Sequence, residues 1–155
     1  MVEYYTPELS EFHVGFEYEI TTGYEWVSES FTHKDFNTFL YQHLDNAIKQ
    51  DYVRVKYLDK EDVESLGFEE EHVPNCYTED GDIQLGYALY LDEVTCVILH
   101  HTLETSIVGI VKQHVYNRNS GNWTANKLFL GTIKNKSELI KLLQQIGIRV
   151  KDNKE

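Results

Sequence analysis

Prolines and cysteines are scarce: two of each occur in 155 residues, and no apolar run is longer than a few residues. Cys76 and Cys96 cannot make the multi-bridge framework of a small secreted domain, so the core must hold without staples. Apolar runs that short fall far below the ~20 residues a helix needs to cross a bilayer. The chain begins Met1-Val2-Glu3-Tyr4, without the basic start and apolar stretch of a secretory leader. It carries no low-complexity tract and no internal repeat. Basic residues are few as well. Fourteen Lys and Arg stand against 26 Asp and Glu, for a net charge of −12. A field of that sign opposes direct nucleic-acid binding by the whole molecule. The expectation is a soluble protein of the cytoplasm, with no membrane partner.

What is present argues for a folded core. Hydrophobic residues make up 41% of the chain, with eleven Tyr, seven Phe and two Trp, a composition that excludes intrinsic disorder. The length suits one domain, expected over 1–148, followed by a charged tail at 149–155. The negative charge is uneven. Residues 59–82 hold ten acidic side chains against Lys60 alone, while residues 83–155 hold six acidic and nine basic ones. The acidic middle suits a basic protein partner, or solubility alone.

The most clearly punctuated stretch runs from Leu128 to Ile148. Asn135 and Glu138 form a capping-box pattern, Leu139, Leu142, Leu143 and Ile146 recur at helical spacing, and Gly147 provides the stop. A second, shorter helix opens at Asp59 and closes at Gly67, with Phe68 folding back on Val63. A third is expected over 35–50, entered through Thr32 and Asp35, with Phe36, Phe39, Leu40, His43, Leu44, Ala47 and Ile48 at helical period. Strict alternation of Phe12, Val14, Phe16, Tyr18 and Ile20 predicts a half-buried strand from Phe12, with a return strand at 24–27. Tyr52 to Leu58 reads as a short strand, and 68–72 as a brief one. From Ile83 the pattern is β throughout, with short connections that predict an antiparallel meander. The fold class expected is α+β: a mainly antiparallel sheet of four to six strands, packed by two longer helices and one short one.

Tyr-Val-Arg-Val-Lys-Tyr-Leu-Asp-Lys-Glu-Asp-Val-Glu-Ser-Leu-Gly-Phe (52–68) and Gly-Thr-Ile-Lys-Asn-Lys-Ser-Glu-Leu (131–139) resemble small uncharacterised proteins encoded by phages and prophages of Bacteroidota. The resemblance covers roughly a sixth of the chain. It implies a setting, the bacterial cytoplasm during phage or prophage expression, and carries no activity, cofactor or catalytic residue with it.

Candidate sites follow from residue chemistry. His100, His101 and His114 would suit a metal, but adjacent strand residues point to opposite faces, so His100 and His101 do not converge. His72, Cys76 and Cys96 are three soft ligands without a fourth or the paired spacing of zinc sites. Cys96 reads as a small buried residue, and Cys76 as the one candidate for a reactive thiol. The loop Glu79-Asp80-Gly81-Asp82 lacks the ligand order of an EF-hand. Glu17 and Glu19 share one strand face instead of flanking a cleft, as glycosidase chemistry requires. Gly-rich phosphate loops, Gly-x-Ser-x-Gly elbows and His-Glu-x-x-His helices do not occur. No cofactor or metal is therefore expected, and catalytic residues are unassigned. Tyr4, Tyr5, Tyr24 and Trp26 crowd the amino-terminal region as core, rim or binding-patch residues.

Two function classes remain. One is a non-catalytic interaction protein that binds a basic host or phage protein, with Glu69, Glu70, Glu71, Glu79, Asp80 and Asp82 as candidate contact residues. The other is a small hydrolase-type enzyme whose site is assembled only by the fold.

Overall fold

Alternating and β-branched segments resolve into two antiparallel sheets in place of the one expected, within an α+β architecture. The computed structural model describes residues 2–36, 38–74, 83–93, 95–102, 107–117 and 122–150. By contact density the chain divides into two compact units. The first is Met1–Tyr57 with Asn135–Leu139, and the second is Leu58–Lys134 with Ile140–Glu155.

The first unit holds β1 (Tyr4–Tyr5), β2 (Glu17–Thr21), β3 (Trp26–Ser30), α1 (Thr38–Lys49) and β4 (Val53–Lys56). Its sheet has the order β1-β4-β2-β3, with all three pairings antiparallel. β4 shows how the faces are set. Val53 and Val55 are buried, while Arg54 and Lys56 point the other way and stay half-buried, the period-2 consequence of strand geometry. The buried face meets Phe12, Phe16, Phe31 and Leu44, with Tyr5, Tyr18, Ile20 and Tyr41 packed around them. Phe12 stands edge-on to Phe31 at 5.6 Å and 4.7 Å from Phe16, within the range where aromatic pairs attract.

The strand expected from Phe12 begins instead at Glu17. Phe12 ends a 3-10 turn over Leu9–Glu11, and Gly15 takes φ +87 inside a tight turn closed by the Phe16 amide on the His13 carbonyl. Phe12 and Phe16 are both core residues, but the turn places them there, and Val14 between them is exposed. Thr32 and Asp35 form the expected start signal. The Thr32 amide and hydroxyl both donate to Asp35 Oδ2, and a 3-10 turn over His33–Phe36 leads towards α1.

The second unit opens with α2 (Lys60–Ser65). Asp59 and Asp62 cap each other's backbone amides, Gly67 turns the chain at φ +91, and Val63, Leu66 and Phe68 are buried. A five-stranded meander follows: β5 (Glu69–Pro74), β6 (Ile83–Tyr90), β7 (Thr95–Thr102), β8 (Ile107–Asn117) and β9 (Asn122–Thr132), paired in chain order. Val97, Ile98 and Leu99 are buried in succession, so the middle strand is covered on both faces. Register shifts in β8 against β9 fall between Ile110 and Val111 and between Val115 and Asn117.

α3 (Lys136–Gln145) has both ends as the sequence marks them. Asn135 Oδ1 accepts from the Glu138 amide at 2.9 Å, and Gly147 sits at φ +78. The Ile148 amide reaches back to the Leu143 carbonyl at 2.8 Å, the six-to-one bond of a Schellman stop. Leu139 and Leu143 are fully buried, whereas Leu142 and Ile146 are half-buried. Among the described residues no helix is long and apolar enough to cross a membrane. Residues 151–155 of the expected tail lie outside the described residues.

Candidate functional site

The acidic stretch resolves into side chains with separate jobs. Asp59 and Asp62 are used by the α2 cap. Glu64 and Glu70 converge on Lys60, whose ammonium lies 2.7 Å from Glu70 Oε2 and 3.6 Å from Glu64 Oε1. The hydrogen bond to Glu70 holds Lys60 more firmly protonated than usual. Glu71 accepts from the Tyr90 hydroxyl at 2.8 and 3.1 Å. Burial, reinforced by that bond, pushes the Tyr90 hydroxyl up to about 12. Glu69, Glu70 and Glu71 together form the first half of β5, where the strand order of the sheet ends. Glu69 and Glu70 are exposed and Glu71 is half-buried. Glu79, Asp80 and Asp82 fall outside the described residues, as does Cys76.

Of the histidine and cysteine candidates, His72, Cys96 and His100 have described side chains. His72 is exposed on β5, and Cys96 is buried in β7 with Val73, Ile98 and Val111. His100 is buried in β7 and meets Gln84 Nε2 at 2.8 Å through Nδ1. This contact ties the ring on β7 to the neighbouring strand β6. Burial also lowers the His100 pKa. The side chains of His101 and His114 are outside the described set. Among the described residues no three His, Cys, Asp or Glu side chains are grouped to hold a metal ion.

The aromatic crowd near the amino terminus separates by face. Tyr5 turns inward. Its hydroxyl donates to Glu11 Oε2 at 2.7 Å and accepts from Asn135 Nδ2 at 2.8 Å, and burial followed by the Glu11 bond raises its pKa strongly. Tyr4 and Trp26 turn outward with Arg54. The guanidinium carbon lies 3.9 Å from the Tyr4 ring centre and 4.1 Å from that of Trp26, and Nε donates to Glu19 Oε2 at 2.6 Å. Glu19 is thereby the partner of a stacked arginine. Tyr24 stands fully exposed at the β2–β3 turn.

Sequence reasoning did not find one further site. In the first unit Tyr18, Ile20, Phe31, Asp35, His43 and Leu44 line an open cleft of about 180 Å³. Phe31 and Leu44 form a buried apolar floor. Burial raises the Tyr18 pKa, and the negative charges of Asp35 and Glu29 add to the effect. Glu29 is the direct cross-strand neighbour of Tyr18, so it projects from the same face of the sheet. The lining comes from β2, the end of β3, the 3-10 turn and α1. No local motif could have announced it, although the alternation at Tyr18 and Ile20 and the helical period at Leu44 gave the inward residues. Comparison with protein-family models, with curated proteins and with solved structures finds no match to this chain.

Proposed function

We propose that the protein is a non-catalytic interaction protein that binds a basic protein partner through the acidic edge of its second unit. The setting is the one the resemblance implies, a bacterial cytoplasm during phage or prophage expression. The observation that carries this reading is the position of Glu69, Glu70 and Glu71: three consecutive carboxylates on β5, an end strand of its sheet among the described residues, two of them exposed. Lys60 is the sole Lys or Arg in the surrounding 24 residues, so the field there is negative, and a cationic partner would be steered towards it.

The hydrolase reading would draw on the cleft, which gathers a histidine, a carboxylate and a phenol. The chemistry of those groups favours binding. Burial and two neighbouring carboxylates keep Tyr18 protonated, a poor state for a nucleophile, and Asp35 Oδ2 is occupied by Thr32.

The test uses a partner captured from the bacterial host and then purified. Replacing Glu69, Glu70 and Glu71 together with Gln should slow association and flatten its salt dependence, measured at dilutions where light scattering shows the variant to be monomeric. Steering of this kind weakens as the Debye length shrinks from ~10 Å at 0.1 M to ~3 Å at 1 M salt. An unchanged association rate and salt slope in that variant would remove the acidic edge from the binding surface.

A further inference from the structure

The cleft of the first unit has a volume and a charge pattern that together select a ligand. At about 180 Å³ it is smaller than the ~300 Å³ at which pockets for whole small molecules begin. It is close to the ~150 Å³ apolar cavity known to admit one benzene. It therefore has room for one side chain of a partner. Its walls are apolar where Ile20, Phe31 and Leu44 contribute, and ringed where Tyr18 and Phe31 contribute. Two carboxylates lie by it: Asp35 belongs to the lining, with His43, and Glu29, outside the lining, stands across from Tyr18 on the neighbouring strand. Both Thr32 bonds to Asp35 use Oδ2, which holds the carboxylate in place and leaves Oδ1 its acceptor capacity.

An open, largely apolar cleft with Asp35 in its lining and Glu29 beside it matches a long aliphatic stem with a cationic head. Lys and Arg bury their methylene stems along apolar surface while the charge remains at the rim. The half-buried ring of Tyr18 in the lining would add cation–π attraction to a nearby charged head. A purely hydrophobic side chain would fill the cleft but leave the carboxylates without a counter-charge, and an acidic one would be repelled.

We propose that this cleft is an anchor pocket for a single Lys or Arg side chain of a protein partner, the stem lying against Ile20, Phe31 and Leu44 and the charge held between Asp35 and Glu29. The inference rests on the same basic partner as the proposed function but uses a different surface, so each can fail alone.

The experiment titrates the full-length protein with N-acetyl-lysine methylamide, N-acetyl-arginine methylamide and the neutral N-acetyl-norleucine methylamide, following backbone amide shifts by NMR. The expected result is saturable shifts at Ile20, Phe31 and Leu44 with the two cations, and roughly tenfold weaker binding of the norleucine probe. Glu29→Gln and Asp35→Asn should each weaken the lysine probe by about threefold or more. Glu29 is an exposed strand residue, so its variant separates lost charge from any disturbance of the turn that Asp35 closes. Equal binding of norleucine, shifts confined to Glu69–Glu71, or no saturable shift with either cation would overturn the pocket. The last two outcomes leave the β5 reading standing. Cleft shifts alongside an inert Glu-to-Gln edge variant would keep the pocket and remove the edge.

Discussion

At the residue scale, burial decides which positions carry stability. On α3 the sequence stripe includes Leu142, yet Leu143 and Leu139 are the fully buried ones. Leu143→Ala should cost about 2–5 kcal/mol, and Leu142→Ala distinctly less. Lys141→Ala, on an exposed position, should stay within roughly 0.5 kcal/mol. Chemical denaturation of the three variants checks the order, and equal losses would mean a different buried face. His100 makes a pH prediction. Its folded pKa is lowered by burial, so between that value and the ordinary 6.5 the unfolded chain binds more protons than the folded one. Stability should therefore be complete above pH 6.5 and fall as the pH drops below it, before carboxylates titrate near about 4. In a His100→Gln variant the melting temperature should lose that slope. An unchanged slope would assign it to other groups.

At the element scale, two glycines set what the strands and helices can accept. A Cβ on Gly86 would lie 2.5 Å from Val73 Cγ2 and 3.3 Å from the Leu99 carbonyl oxygen. Valine is stiff at χ1 and the carbonyl belongs to β7, so neither yields cheaply. Gly86→Ala should cost about 1–3 kcal/mol, partly recovered in the Val73→Ala background. Additive losses in that cycle would show that the two positions do not collide. Gly147 is different: nothing lies within 4 Å of its Cβ position, but its φ of +78 strains any L side chain. Gly147→Val should thus destabilise by more than helix propensity alone, through backbone strain without a clash. A loss no larger than the propensity difference, read from thermal melts, would count against the Schellman stop. These helix stops were legible in the sequence because each is written in a few neighbouring residues: Asp59 with Asp62, then Gly67, and Asn135 with Glu138, then Gly147. The number of sheets was not. β1 and β4 pair across some fifty residues, and no local pattern encodes that choice. The alternation of Phe12, Phe16 and Ile20 misled for a physical reason, since a turn through Gly15 buries the same aromatic residues as a strand would.

At the scale of the whole molecule, charge and site separate in how far they could be read. The acidic middle was plain from composition, but its division of labour was not. Pairing of Glu70 with Lys60, and of Glu71 with Tyr90, depends on the meander bringing α2 and β6 beside β5. The cleft was illegible because Tyr18, Asp35 and His43 are gathered from separate elements, and a period within one element does not say which residues of another will face it. The acidic end strand has one more consequence, which concerns the protein's own copies. A strand that ends a sheet can template another strand of the same sequence, and like charges in register oppose that. The carboxylates of β5 would then serve as an electrostatic guard against fibre-like stacking. The triple Glu-to-Gln variant should scatter light and bind amyloid dyes at concentrations where the parent protein stays clear, and acidifying the parent protein should have the same effect. A double variant, Glu69→Gln with Glu71→Gln, keeps the Glu70 carboxylate and should recover part of the solubility. A triple variant that remains monodisperse would transfer the guarding role from charge to Pro74, which closes the strand.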